Sequence, residues 1–204
     1  MKVFIVNKSD PIIESFNEMT HKIENGEIWI YNEISVQHEL TTVLQAKFEI
    51  VLLEWNVKNL TNMFTRVEVD KLEKKEMDIF IDDNGSKYCI EIKYPTSGQN
   101  PEQMFKACKD IKFLEQLVER GFKKSYFLMF ASDDIYFNEN SKRKSEGIFK
   151  LFRTDKLLKG TISKPTGKKD ESITLKGKYN IEWKDVPNNT VEQLKYFYLV
   201  IQKE

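Results

Sequence analysis

Glu76-Met-Asp78-Ile-Phe-Ile-Asp-Asp-Asn84-Gly85-Ser-Lys-Tyr-Cys-Ile-Glu91-Ile-Lys93 is the stretch whose reading decides the fold. Two runs that alternate apolar and polar residues flank Asn84-Gly85, the strongest short-range signal for a β-hairpin. A two-residue turn there pairs Asp83 with Ser86, and carrying that register down the strands sets Asp78 directly across from Glu91. Two facing carboxylates repel and weaken a sheet. A divalent cation held between them converts that cost into a binding site. Lys93 lies two residues beyond Glu91, so strand alternation projects it from the same face. An Asp, a Glu and a Lys gathered on one face suit the hydrolysis of phosphodiesters. The other reading is a surface hairpin with ordinary charge pairs, Glu76 with Lys93 and Asp82 with Lys87. That reading leaves Asp78 against Glu91 unexplained.

Outward from the hairpin, the chain reads as one α/β domain over residues 1–204, with no repeat, low-complexity tract or linker. Ahead of it, Lys2–Val6 and Glu27–Tyr31 read as short strands. Ser9-Asp-Pro begins a helix running to about Glu24 and stopping near Gly26. The next helix is expected over roughly 35–55 with Ser35 as its cap, and Phe64–Asp70 alternates as a strand feeding the hairpin. Behind it, Asn100-Pro starts a helix that ends at Gly121. Ser125–Ala131 is a continuous apolar run, the mark of a strand buried on both faces. Residues 133–147 read as polar and irregular, and 149–158 suit strand or helix equally. Residues 159–178 read as an exposed basic loop ending in a strand, Tyr179–Lys184 alternates, and Leu194–Ile201 is a final strand.

Hydrophobic residues make up 40% and charged residues 31% of the 204, ordinary for a soluble globular protein. The longest apolar runs, such as Phe48-Glu-Ile-Val-Leu-Leu, fall far short of the roughly 18–20 residues that a membrane span needs. Cys89 and Cys108 have no metal-ligand spacing, and the simplest setting for them is a reduced, cytoplasmic one. Net charge is zero, with 32 basic and 32 acidic residues, but the charges are unevenly distributed. Residues 142–178 carry 12 Lys and Arg against 4 Asp and Glu. A local basic surface is what phosphate binding requires, although Lys-rich loops are as often merely solvated.

The order helix, strand, hairpin, helix, strand, with Asp78 and Glu91-Ile92-Lys93 on the hairpin, resembles the PD-(D/E)XK nuclease superfamily. The resemblance covers roughly residues 35–131. It implies a restriction-endonuclease-like fold, a mixed β-sheet flanked by helices with an αβββαβ core. Met77 stands where the family's name-giving Pro would be. By the resemblance, Asp78, Glu91 and the Ile92 carbonyl would hold Mg²⁺, with Mn²⁺ as substitute. Lys93 would orient or deprotonate the attacking water, or neutralise the transition state. Many members carry a Glu on the preceding helix, here Glu39, which heads a stripe with Val43, Ala46 and Ile50. An acid at that place either completes the metal site or sits at the stripe's exposed end. A Gln on the following helix recurs in several branches, which makes Gln103 a site candidate. Lys106 and Asp110 share its face; Lys106 reads equally as a phosphate contact or as solvent-exposed, and Asp110 reads rather as solvent-exposed. The implied substrate is DNA, and the implied assembly is a homodimer that cuts both strands. The alternative is a catalytically silent DNA-binding or scaffolding protein on the same fold. His21 and His38 are isolated and read as surface or packing residues. Trp183, Tyr196, Phe197 and Tyr198 read as core rather than stacking platforms.

Overall fold

Asp10 opens the first helix, α1 (Pro11–Glu24): its carboxylate accepts from the N–H groups of Ile12 and Ile13, and Pro11 fills the first turn. The computed structural model describes residues 10–96, 98–140, 147–153, 157–167, 171–186 and 193–203; the expected strand Lys2–Val6 lies outside them. No strand forms at Glu27–Tyr31, which is an irregular connection. Helix α2 (Glu33–Gln45) is capped by Asn32, and Ser35 sits three residues in, returning its hydroxyl to the Asn32 backbone.

The long helix expected over 35–55 is two elements. After a turn at Ala46-Lys47 the chain becomes β1 (Ile50–Asn56), which pairs antiparallel with β2 (Glu76–Asp83). The strand expected at Phe64–Asp70 is instead a short helix, α3 (Arg66–Asp70), capped by Thr65 with Glu68 closing a capping box. Strand β2 turns at Asn84 and Gly85, both with positive φ (50° and 85°), into β3 (Ser86–Lys93). The pairs run from Asp83↔Ser86 through Asp82↔Lys87 to Ile79↔Ile90, which is the register expected from the sequence. Helix α4 (Asn100–Glu119) then crosses over, and β4 (Lys124–Ala131) lies parallel to β3. Asn100 ties the start of α4 to the following loop by hydrogen bonds with Asp133 and Tyr136 rather than capping the helix with its side chain.

Beyond β4, α5 (Ile148–Phe152) precedes β5 (Leu158–Ser163), so the ambiguous segment is helix and then strand. Strands β5 and β6 (Ser172–Tyr179) form a separate hairpin where a basic loop was expected. Strands β7 (Lys184–Asp185) and β8 (Lys195–Ile201) join the main sheet, whose order is β1-β2-β3-β4-β8-β7. The architecture is α/β, a mixed six-stranded sheet flanked by helices. One face carries Ile79, Ile81, Ile90, Ile92, Tyr126 and Leu128 against the apolar sides of α1 and α2. The other carries Phe80, Cys89, Phe127, Met129 and Phe197 against α4. Cys89 and Cys108 are free, buried thiols. Among the described residues no helix is long and apolar enough to cross a membrane.

Candidate active site

The hydrogen-bonded ladders on both sides of β2 open at Asp78. On one side the pairs are Leu53↔Ile79 and Trp55↔Met77, with Glu54 between them at a φ of 48°, unusual for any residue but Gly. On the other side the ladder with β3 stops at Ile79↔Ile90. Side chains take over the freed backbone groups. The Asp78 N–H donates to Glu91 Oε1 at 3.4 Å, and its carbonyl accepts from Gln37 Nε2 at 3.0 Å. Gln37, buried on α2, also donates to Glu54 Oε1 at 2.5 Å. Asp78 Oδ2 in turn accepts from the Ile92 N–H at 2.8 Å.

That opening leaves Asp78 Oδ1 and Glu91 Oε2 aimed at one point, and the ammonium of Lys74 occupies it. Lys74 Nζ lies 2.8 Å from Asp78 Oδ1 and 2.5 Å from Glu91 Oε2. Glu91 is wholly buried. Burial first, and the facing Asp78 second, push its carboxyl well above the ordinary carboxylate range. Burial alone would lower the Lys74 ammonium, but Glu91 and Asp78 together hold its pKa well above the usual lysine value.

Beside this trio stands Lys93. Its Nζ donates to the Ile92 carbonyl at 3.0 Å and to Glu33 Oε1 at 3.1 Å. It also lies 3.1 Å from Asp110 Oδ2, an ion pair by distance that lacks hydrogen-bond angles. Burial would depress Lys93; Asp110 and then Glu33 outweigh it and keep the ammonium protonated far past neutral pH. Asp110 is buried on α4, and desolvation raises its carboxyl against the pull of Lys93. Three buried acids (Asp78, Glu91, Asp110) and the half-exposed Glu33 thus share two ammonium groups at the end of β2 and β3. Burial raises Glu54 as well, with Glu76 and Asp78 adding repulsion.

The structure brings Asp78, Glu91, Ile92 and Lys93 together, and it does not bring Glu39. Because α2 starts at Glu33, the residues facing the site are Glu33 and Gln37, one turn apart. Glu39 lies two residues further, on another face, and contacts only His38. The stripe expected below it is also displaced, since Ala46 is exposed and Ile50 belongs to β1. Gln103 is half-buried near the start of α4, and its side chain makes no hydrogen bond to the cluster. Asp110, two turns on, is buried beside Lys93, where the favoured expectation was solvent exposure. Glu76 does not pair with Lys93, whereas Asp82 does pair with Lys87 at 3.0 Å.

Lys74, Glu33, Gln37 and Glu54 escaped the sequence reading. One signal for Lys74 was available, its i, i+4 distance from Asp78 across the strand's entry. His21 and His38 are exposed. Trp183 packs edge-on against Phe197 at 4.7 Å and donates to the Phe152 carbonyl, a packing role.

Half of the basic residues expected to face phosphate lie outside the described residues, among them Lys142, Arg143 and Lys144. Of the others, Arg153 is buried and donates to the Ile135 carbonyl, Lys164 pairs with Glu171, and Lys176 pairs with Glu119. Lys159 and Lys178 face each other across β5 and β6, both exposed.

No family model, curated protein or solved structure matches the chain. Among the described residues no group of three or more His, Cys, Asp and Glu side chains is arranged to hold a metal. The donors that converge in the structure are two carboxylate oxygens, Asp78 Oδ1 and Glu91 Oε2. Both are hard oxygen donors, and one or two carboxylates with the rest water is the kind of set that Mg²⁺ accepts.

Proposed function

We propose that the chain is a metal-dependent nuclease of restriction-endonuclease-like fold, hydrolysing phosphodiester bonds in DNA. One observation carries the reading. Two buried carboxylate oxygens from adjacent strands converge on a single cation position, beside a second lysine seated over the Ile92 carbonyl. The order α2, β1, α3, β2, β3, α4, β4 supports it, being an αβββαβ arrangement with the short α3 inserted after β1, and with the site at the end of β2 and β3. Asp78, Glu91 and the Ile92 carbonyl would hold Mg²⁺ or Mn²⁺, which when bound supplies an acidified water and charge stabilisation at the phosphoryl oxygens.

The chain's own residues define the remaining roles. Lys93, held protonated by Asp110 and Glu33, is no base at neutral pH; it places positive charge where charge develops on the phosphoryl group. Asp110 and Glu33 are positioning residues that fix its head group. Gln103, two turns before Asp110 on the same face of α4, would orient a phosphate. Glu39 has no part. Lys150, Lys159 and Lys178 are among the described, exposed basic residues of the 142–178 stretch that could meet a DNA backbone. Cutting both strands would take a second copy of the chain.

A second reading is favoured by the closed ion pairing: each buried carboxylate already has an ammonium within 3.1 Å, as a silent, DNA-binding or scaffolding protein would need. Supercoiled plasmid and labelled single- and double-stranded oligonucleotides, incubated with Mg²⁺ or Mn²⁺, separate the two. Nicking by wild type that disappears in Lys93→Ala and Asp78→Asn supports the nuclease. Equal behaviour of all three proteins on every substrate sinks it.

A further inference from the structure

The oxygens that a cation would need are the two that Lys74 already holds, so lysine and metal exclude one another by geometry. We propose that Lys74 is a built-in counter-ion that a divalent cation displaces on entry, and that it thereby sets the cation affinity of the site. The proposal rests on the metal-site reading above.

Charge favours the exchange. Lys74 brings one positive charge to the two oxygens it holds, and a divalent cation at the same point brings two. A buried cluster gains most from the arrangement that leaves no charge uncompensated.

The local architecture allows the lysine to leave while the backbone stays. Lys74 belongs to the irregular segment between α3 and β2, not to a strand. That segment is fixed on both sides of it. The Glu73 N–H donates to Gln116 Oε1 at 2.8 Å, Glu73 pairs with Lys109 at 2.9 Å, and the Lys75 carbonyl accepts from the Val57 N–H at 2.8 Å. The side chain itself is 29% exposed, so its head group has a route to solvent. Lys93, at 11%, is enclosed by Glu33 and Asp110 and has no such route. Of the two lysines, only Lys74 is built to move.

The test uses the full chain and two readouts besides activity. In wild type, acylation of each lysine is followed by mass spectrometry with and without Mg²⁺. Lys74 labelling is expected to accelerate severalfold with the metal, while Lys87, paired with Asp82, stays constant. In parallel, Mn²⁺ is titrated calorimetrically into wild type and Lys74→Met. Removing the competitor should tighten binding by about tenfold or more, since the site no longer spends most of its time closed. Mn²⁺ binding to wild type with unchanged Lys74 labelling, or binding to Lys74→Met no tighter than to wild type, overturns the exchange while leaving the metal site intact. Absence of Mn²⁺ binding in both proteins overturns the metal site itself and the exchange with it. If Lys74→Met does not fold, the wild-type labelling decides.

Discussion

Replacing Lys93 by Met removes an ammonium that three oxygens surround and leaves the aliphatic stem, so no large cavity opens. The Glu33 partner is 43% exposed and contributes little, roughly 0–1 kcal/mol. Asp110 dominates, because the variant strands its carboxylate, 7% exposed, without a cation. Breaking a buried pair from one side costs about 3–5 kcal/mol. Asp110 escapes part of that by taking up a proton, so about 3 kcal/mol is expected at neutral pH. Adding Asp110→Asn removes the stranded charge, and the double variant should return to within about 1 kcal/mol of wild type. Urea unfolding of the four proteins of this cycle, without divalent ions, measures both numbers. The pH dependence has a definite sign. The folded pKa of Asp110 lies above its ordinary 3.8, so its stabilisation is full below 3.8 and is lost as pH rises through the folded value. Losing Lys93, which pulls the Asp110 carboxyl down, raises it further, so the Lys93→Met deficit should shrink as pH falls from 7. A deficit under about 1 kcal/mol at pH 7, or no rescue by Asp110→Asn, would refute the argument that Lys93 answers a buried charge. If the double variant is as stable as wild type yet cleaves nothing, the role of Lys93 in chemistry is separated from its role in support.

Asp10→Ala should cost about 2 kcal/mol, from the lost helix cap and from the Tyr126 hydroxyl left without its acceptor at 2.8 Å. Burial pushes the Asp10 carboxyl up, but hydrogen bonds from Lys124 and Tyr126 prevail and hold it below 3.8. The difference in unfolding free energy between wild type and Asp10→Asn should persist above about pH 3.8 and narrow only as pH falls further. A difference that narrows between pH 7 and pH 5 would contradict this. Glu115→Ala removes the acceptor for the Lys176 and Gly177 N–H groups and the Tyr179 hydroxyl, which anchors β6 on α4. A loss of about 2–4 kcal/mol is expected. Hydrogen exchange should accelerate in β5 and β6 with β3 unaffected; uniform acceleration would show that the hairpin does not open independently.

The central hairpin was legible because Asn-Gly fixes its turn, and the turn fixes every pair after it, down to Asp78 and Glu91. Strand β1 was not, because Leu44 to Trp55 contains neither Gly nor Pro, and a short apolar run reads equally as helix or strand. Helix α3 was misread from Val67 and Val69, whose spacing of two puts both on one face of a strand. In the structure Val69 is buried and Val67 is exposed, as a helix dictates. The Thr65-x-x-Glu68 capping box pointed the right way. Glu39 was misplaced because the face of α2 that meets Asp78 carries Gln37, and a residue two positions on lies about 200° further round the helix. Asp110 was legible as a member of a helix face, but its burial depends on Lys93 arriving from a strand 17 positions back, which no local pattern records.

Strand β4 is a central strand in space, yet its second neighbour is supplied by Lys195–Ile201, more than sixty residues later. During synthesis it therefore waits, paired with β3 on one side and open on the other, with seven of its eight residues destined for burial. An unprotected apolar edge of that length is a template for pairing with other chains. An expression fragment trimmed to the segment between α2 and β4 would expose that edge permanently. The C-terminal strands thus act on the nascent chain much as an intramolecular chaperone would, and fragments used to study the site need them.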